Sequence, residues 1–398
     1  MDFASSPKVR MLVEQLDAFM ARLVYPNERV FYEQIENSGN RHHRPAILEE
    51  LKERAREAGL WNLFLPDPAF GAGLTNLEYA PLAAIMGRVV WASEVFNCSA
   101  PDTGNMEILA QYGTPEQKAQ WLEPLLNGRI RSGFSMTEPG SSGSDPTQMQ
   151  THATRDGDSW VLNGRKWFTT GAMHARILIV AAVTRPDGTR HRRVSLLLVP
   201  TETAGVTILR SPPVFGHISS PGECEIRFDE VRVPAQSLLG EEGAGFAAVQ
   251  ARLGPGRIHH CMRAVGMADR VVELMCRRAA TRVVGAGPLA DKQMIQDMVA
   301  KSRIEVEAAR LMMLHAAWKM DTAGKKEAWP EISMAKVLCA QTACRVVDRA
   351  IQVHGALGVT DDVPLAAMWR YARILRLGDG ADEVHKVKIA EHEMRRWT

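Results

Sequence analysis

The run Asp156-Gly157-Asp158-Ser159-Trp160-Val161-Leu162-Asn163-Gly164-Arg165-Lys166-Trp167-Phe168-Thr169-Thr170-Gly171-Ala172-Met173-His174-Ala175-Arg176-Ile177-Leu178-Ile179-Val180-Ala181-Ala182-Val183 decides the fold. Asp156-Gly157 and Asn163-Gly164, with Asp187-Gly188 further on, are pairs that readily take the positive backbone angles of tight hairpins. Between and beyond them lie β-rich runs: Trp160–Leu162, Trp167–Thr170, Ile177–Val183, Val194–Val199 and Glu225–Val233. Short strands joined by hairpin turns predict an antiparallel β-domain and argue against a βαβ nucleotide fold.

On both sides of this region the period changes from two to about 3.6. Val9, Leu12, Val13, Leu16, Phe19 and Leu23 recur at helical spacing after Ser6-Pro7, a cap and first-turn pair. Leu48, Leu51, Ala55 and Ala58 repeat the pattern after Pro45, and Gly59 stands where a helix ends. Thr114-Pro115-Glu116-Gln117 is a capping box opening a helix that stops at Gly128. Helix returns after Gly245, with periodic stretches at about Ile258–Thr281, Asp291–Met320, Ile332–Val353 and Ala381–Arg396. The order is helices, sheet, helices. It predicts an α+β chain with a helical domain over 1–130, a β-domain over 131–242 and a helical domain over 243–398.

The 398 residues exceed what one hydrophobic core usually supports, in keeping with several packed units. The 48 basic and 46 acidic residues nearly cancel, which leaves no long-range field for a nucleic acid. Six cysteines lie scattered, with no C-x-x-C pair and no metal-type cluster, so no metal site and no disulfide frame is expected. Charges at Lys8, Arg10, Glu14 and Asp17 interrupt any signal-like run, and no stretch reaches the roughly 18 apolar residues of a membrane helix. A cytoplasmic enzyme with no membrane insertion is expected.

Two segments carry chemistry. Gly133-Phe134-Ser135-Met136-Thr137-Glu138-Pro139-Gly140-Ser141-Ser142-Gly143-Ser144-Asp145 reads as a strand ending in a loop rich in glycine and hydroxyls. Such a loop offers N–H and O–H donors to an anionic or carbonyl-rich ligand, and equally describes a surface turn. Asn163–Gly171 then sets aromatics beside hydroxyls, which suits a planar heteroaromatic cofactor.

With these segments the sequence resembles the acyl-CoA dehydrogenase family over nearly its whole length. The likeness includes the Thr-Glu-Pro loop, the Lys-Trp-Phe-Thr-Thr strand, Phe228–Pro234, Gln352–Gly358 and Ile374–His385, in the family's order and spacing. Arg252–Arg263 and Asp379–His385 resemble most the branch that includes the animal kinase-fused acyl-CoA dehydrogenases. The resemblance implies an N-terminal helical domain, a middle antiparallel β-domain and a C-terminal four-helix bundle. It also implies FAD as cofactor, an acyl-CoA substrate, an electron-transfer flavoprotein as partner and a homodimer or homotetramer.

By the same resemblance, Phe134, Met136 and Thr137 lie along the flavin ring, Ser144 meets its pyrophosphate, and Phe168 stacks on it. The Thr170 hydroxyl comes near its reactive nitrogen. Arg282, Gln293, Gln352 and Gly355 match a stretch that binds the FAD of a neighbouring subunit, where a guanidinium fork suits paired phosphate oxygens.

Asp379-Gly380 read alone is a common turn pair. The family usually places a glutamate base here, so the resemblance implies that Asp379 removes the substrate's α-proton, with Arg257 close by. A base kept out of water is expected to rise toward neutrality. His259 and His260 read first as packed or solvated histidines. Three departures stand out: a Thr-Glu-Pro loop one residue longer, Gly285 in place of a phenylalanine, and Gly254 in place of an acidic residue.

The expected reaction is α,β-dehydrogenation to a trans-2-enoyl-CoA. The branch resemblance also leaves room for conversion of a 4-hydroxyacyl-CoA through its 4-phospho derivative. An oxidase or monooxygenase on this fold would be distinguished by the oxygen reactivity of its reduced form. A non-catalytic helical interaction protein would purify without a yellow cofactor.

Overall fold

A computed structural model describes residues 3–398. The chain opens with α1 (Pro7–Phe19), α2 (Glu28–Asn37), α3 (Ala46–Glu57), α4 (Asn76–Gly87), α5 (Ala92–Val95), α6 (Asp102–Tyr112), α7 (Pro115–Gln117) and α8 (Glu123–Leu126). Helix α1 starts where Ser6-Pro7 predicts, with the Ser6 hydroxyl accepting from the Val9 N–H at 3.3 Å. The Thr114 box is reciprocal: its hydroxyl accepts from the Gln117 N–H, and the Gln117 side chain accepts from the Thr114 N–H. Gly59 and Gly128 both take positive φ, +69° and +61°, closing their helices as expected. The apolar stripe of α1 (Val9, Leu12, Leu16, Phe19) is buried in the main core.

Eight strands follow: β1 (Arg131–Ser135), β2 (His152–Asp156), β3 (Ser159–Thr170), β4 (Ala175–Val183), β5 (Val194–Pro200), β6 (Val206–Arg210), β7 (Glu223–Pro234) and β8 (Leu238–Leu239). They form one sheet in the order β6-β7-β3-β2-β4-β5-β8, with β1 added to β4. Its ladders are antiparallel except that β1 runs parallel to β4 and β2 touches β4 through one parallel pair. The apolar run of β4 has a simple cause: both faces are buried. Leu178, Val180 and Ala182 enter a sheet core with Trp160, Leu162, Leu197 and Ile226. Ile177, Ile179 and Ala181 point the other way, into the helical core.

Asn163-Gly164 is not a hairpin. It lies inside the twelve-residue β3, at a register shift against β7. The Asn163 side chain bridges to Glu230, donating to its carboxylate at 2.6 Å and accepting from its N–H at 2.8 Å. A side chain at Gly164 would run into Thr151, only 2.5 Å away. The glycine marks a bulge packed against Thr151, the residue before β2, and not a turn.

The last part contains α9 (Gly245–Thr281), the short pair β9 (Val283–Val284) and β10 (Gly287–Pro288), α10 (Gln293–Ala323), α11 (Trp329–His354), α12 (Leu365–Leu375) and α13 (Asp382–Met394). Helices α9, α10 and α11 pack on one another, with α12 and α13 against α11. Helix α9 begins thirteen residues before Ile258, the expected start of its periodic stretch, and continues through Pro255. Proline at this place removes the N–H that would bond the carbonyl of Ala251. Lys325 takes over, its Nζ donating to that carbonyl at 3.2 Å.

Helices α4 and α9 meet backbone to backbone at two glycines. A Cβ on Gly266 would lie 1.7 Å from the Ala84 carbonyl oxygen, and one on Gly87 would lie 2.4 Å from the Arg263 Cα. This backbone contact fixes the middle of α9 against the N-terminal helices. Among the described residues no helix is long and apolar enough to cross a membrane, and no group of three or more His, Cys, Asp or Glu could hold a metal ion.

Candidate active site

The loop after β1 is moored by one buried ion pair. Lys166, fully buried on β3, donates to the Met136 carbonyl at 2.8 Å and to Glu138 Oε1 at 2.9 Å. Glu138 also accepts from the N–H groups of Gln150 and Thr151 and from the Ser141 hydroxyl. Burial alone would raise the Glu138 carboxyl, but the Lys166 charge and these hydrogen bonds bring it down to about 2. Burial lowers the Lys166 ammonium to about 8, so both groups are charged at neutral pH. The carboxylate thus gathers residues 136–151 into one cradle. The Trp167 N–H adds a bond to the Thr137 carbonyl at 3.0 Å.

Phe134, Met136 and Thr137 come beside Phe168 and Thr170 where β1 and its loop meet β3, joined by the Ser135–Thr169 hydroxyl contact at 3.0 Å and by the bonds from Lys166 and Trp167. Phe168 has φ +50° and remains 44% exposed. An aromatic ring left open on a left-handed residue is an unusual and costly arrangement. Nearby Trp167 has a buried indole N–H with no hydrogen-bond partner. The Thr170 hydroxyl is engaged, donating to Glu223 at 2.5 Å. Ser144 is exposed on the loop.

Across from this strand end stands α9. The Arg252 guanidinium lies 4.1 Å above the Phe134 ring and its Nε donates to Asn105 at 3.2 Å. Arg257, 5% exposed, donates from Nε to the Asp379 carbonyl at 2.8 Å while its guanidinium covers the Trp329 ring. The Asp379 backbone has φ +55°, a conformation aspartate tolerates better than most residues. His260 Nε2 is 3.4 Å from Asp379 Oδ2. Asp379 and Arg257 are therefore in direct contact.

The charge state of Asp379 departs from expectation. Burial does push its carboxyl up, but the approach of His260 and the charges of Arg252 and Arg257 outweigh it. The carboxyl is held below the usual carboxylate range, not lifted toward neutrality. The opposite case is Glu107 on α6: burial lifts it to about 7 against the charges of Lys325 and Arg252, and its Oε2 is buried without a partner.

Arg282, Gln293, Gln352 and Gly355 lie elsewhere, exposed at one end of the helical bundle. Arg282 ends α9, Gln293 starts α10, and Gln352 and Gly355 end α11. Val283, Val284 and Met294 are exposed beside them. Among the described residues no hydrogen bond, ion pair or ring contact joins this group to Phe134–Thr170.

Sequence reading did not single out Arg252, His260, Arg263, Lys166 or Glu138 as site residues. The missing signal for the first three was helix register. Once α9 is known to start at Gly245, positions 252, 256, 260 and 263 share a face. Lys166 and Glu138 are charges within otherwise β-rich or turn-like segments, and only their mutual burial reveals them.

Comparison with known proteins agrees with this architecture. Family models match residues 6–129 (acyl-CoA dehydrogenase, N-terminal domain), 133–231 (middle domain) and 243–394 (C-terminal domain). The chain is 51% identical to "Probable acyl-CoA dehydrogenase FadE2" of Mycobacterium tuberculosis, covering 100% of this chain and 98% of that one. It is 47% identical to the mouse acyl-CoA dehydrogenase family member 10 and 45% identical to the human member 11. Those matches cover 98% and 99% of this chain but 37% and 51% of the animal proteins, about half their length or less. A solved Mycobacterium abscessus chain assigned as an acyl-CoA dehydrogenase superposes with a TM-score of 0.96 at 44% identity, over 99% of this chain and all of that one. Butyryl-CoA dehydrogenase of Megasphaera elsdenii gives 0.84 at 26% identity, over 99% and 100%. This chain belongs to the acyl-CoA dehydrogenase family.

Proposed function

We propose that the chain oxidises an acyl-CoA thioester to its trans-2-enoyl-CoA, with FAD bound between the β1–β3 strand ends and α9. The observation that carries this reading is the carboxylate of Asp379, whose backbone carbonyl accepts from Arg257 and whose charge interacts with Arg252, the guanidinium that covers the Phe134 ring. A carboxylate at that place can take the α-proton of a thioester, a weak carbon acid that needs a positioned base. Entry of an acyl chain would displace water from the carboxylate and raise its proton affinity from the low value set by its cationic neighbours. Arg257 and Arg252 would hold the base in place and disfavour its early protonation. When bound, the flavin supplies the acceptor for the β-hydrogen and its electron pair.

The residues present fit a flavin. Phe168 offers an open ring on a strained backbone, and the cradle of residues 136–151 is held rigid by the Glu138–Lys166 pair. Met136 and Thr137 at the mouth of that cradle would face the ring edge, with Phe134 beside them and Thr170 close by. Ser144 would reach the pyrophosphate. Arg282, Gln293, Gln352 and Gly355 are exposed in one chain, which supports their serving the FAD of a second copy in a homodimer or homotetramer. An electron-transfer flavoprotein would receive the electrons. Cytoplasmic placement is supported by six free cysteines.

Purified protein should carry FAD, not FMN, and elute at the mass of a dimer or larger. Acid release of the cofactor and light scattering check both. FMN, or a stable flavin-loaded monomer, would contradict the reading.

One observation favours a second reading, in which the acyl part bears a 4-hydroxyl or 4-phospho group. Arg252, Arg257, Arg263 and Lys336 are all buried, and none forms a side-chain ion pair with a carboxylate among the described residues. A polar or anionic substituent would meet that surplus positive charge. Product analysis with 4-hydroxyacyl-CoA and simple acyl-CoA separates the two readings.

A further inference from the structure

Gly256, His260 and Arg263 follow one another at four- and three-residue spacing on α9, so they line one face of the helix. All three bear on Asp379. The position a Cβ on Gly256 would take lies 3.5 Å from Asp379 Oδ2, an ordinary contact distance, so the carboxylate sits close against this face of the helix. His260 Nε2 lies 3.4 Å from the same oxygen, and Arg263 Nη2 lies 3.1 Å from His260 Nδ1. A guanidinium has donors only, so the Nδ1 it meets must present a lone pair. The one proton of a neutral imidazole then sits on Nε2, the ring nitrogen nearer Oδ2. The 3.4 Å separation is long for a hydrogen bond, as catalytic contacts often are before substrate closes the site.

Arg263 is itself fixed. It is 4% exposed, donates to the Cys98 carbonyl at 3.4 Å, and stands on the turn of α9 that the side-chain-free contact with Gly87 locks in place. Burial and the charges of Arg263 and Lys336 oppose a second proton on His260, while Asp379 favours it. The other groups facing this chain are His259 on α9, Tyr79 on α4 and Tyr371 on α12. His385 on α13, beside Gly380, is held down to about 4 by burial and the charges of Arg257 and Lys336, so it stays neutral.

We propose that His260 is a positioning residue for the Asp379 base, locked by Arg263 as the neutral Nε2–H tautomer so that it restrains Oδ2 and leaves Oδ1 for the α-proton. The inference rests on the reading of Asp379 as the base. Its physical reason lies in the short side chain. An aspartate has one methylene less reach than the glutamate it replaces, so an error in its direction is not absorbed by further rotation. Misplacement of a reacting group by about 1 Å can cost on the order of 10²-fold in rate. Arg257 fixes the backbone carbonyl of Asp379, and His260 fixes the carboxylate, from successive turns of one helix.

The test is the nitrogen NMR spectrum of the FAD-loaded protein carrying isotope-labelled histidine. The His260 signal is identified by its absence in His260→Gln. The expected result is a neutral Nε2–H tautomer that does not titrate between about pH 5.5 and 8, where an ordinary histidine changes charge. In Arg263→Met the Nδ1 lone pair is released, so His260 should titrate within that range. The pH profile of flavin reduction should gain a step at the same pH. His260→Gln keeps an N–H donor toward Oδ2 and should lose less than about 10-fold in flavin reduction, whereas His260→Leu should lose about 10²-fold, with acyl-CoA binding changed by only a few-fold. A wild-type His260 that titrates in this range, or that carries its proton on Nδ1, overturns the proposal even if the leucine variant fails to fold. A full-rate His260→Leu overturns it too. Failure of the base assignment would show separately, as an undiminished rate in Asp379→Asn with the histidine signal unchanged.

Discussion

Asp379→Asn should lower the rate of flavin reduction by acyl-CoA about 10²–10⁴-fold while leaving FAD and acyl-CoA bound, because a positioned base typically contributes that much. Asparagine keeps the shape, tolerates the φ of +55° at this position, and preserves the carbonyl that accepts from Arg257. What it removes is the proton acceptor. Stopped-flow absorbance of the flavin under anaerobic conditions measures the loss, and titration of the oxidised enzyme measures binding. His260 and the two arginines hold the Asp379 carboxyl below its usual range, so the free enzyme's base stays ionised through neutral pH. The profile of kcat/KM should therefore show no acid limb from this group above about pH 4, the ordinary carboxylate value. Other carboxylates of the same segment are poorly placed: Asp382 is buried in an ion pair with Arg376, and Glu383 is exposed. If the asparagine variant kept its rate, Glu107 would be the group to replace next, because burial already lifts its carboxyl to about 7.

Lys166→Met should have the largest effect on stability. It leaves Glu138 charged, 6% exposed and without its cation, and breaking one side of a buried pair typically costs about 3–5 kcal/mol. The loss falls on the loop. Glu138 ties Ser141, Gln150 and Thr151 together, and Lys166 ties Met136 to the same carboxylate. The variant should melt at lower temperature and lose flavin on gel filtration. The double variant Glu138→Gln/Lys166→Met removes both charges and should be less destabilised than the single one. The pH dependence has a definite sign. Because the Glu138 carboxyl falls from its ordinary value of 4.5 to about 2 on folding, its stabilisation is present above 4.5 and is lost as pH drops toward 2. Lys166→Met should shrink that component of acid denaturation, because the hydrogen bonds from Ser141, Gln150 and Thr151 remain.

Much of the fold was legible because the signals are local. Ser6, the Thr114 box, Gly59 and Gly128 mark helix ends through their own chemistry, and the structure puts the ends there. Asn163-Gly164 misled because the same dipeptide serves a turn and a bulge. The choice is made by Thr151 and Glu230, residues distant in sequence. The long β4 read as a plain strand, but burial of both its faces depends on helices packed from outside the β-domain. For the site, residue types were readable at Asp379 and Arg257, whereas their electrostatics were not. Whether a buried carboxylate rises or falls depends on which cations face it, and Arg252 and His260 reach Asp379 only because α9 runs unbroken through Pro255. Lys325, a side chain 74 residues further along the chain, supports that continuity by donating to the Ala251 carbonyl.

The most direct measurement is anaerobic mixing of the flavin-loaded protein with a panel of acyl-CoA thioesters, simple and 4-hydroxylated, while following flavin absorbance and identifying the product. The expected result is bleaching of the flavin by at least one thioester, with one equivalent of a 2-enoyl-CoA formed per flavin reduced. A folded, flavin-loaded protein that no thioester in the panel reduces would contradict the account.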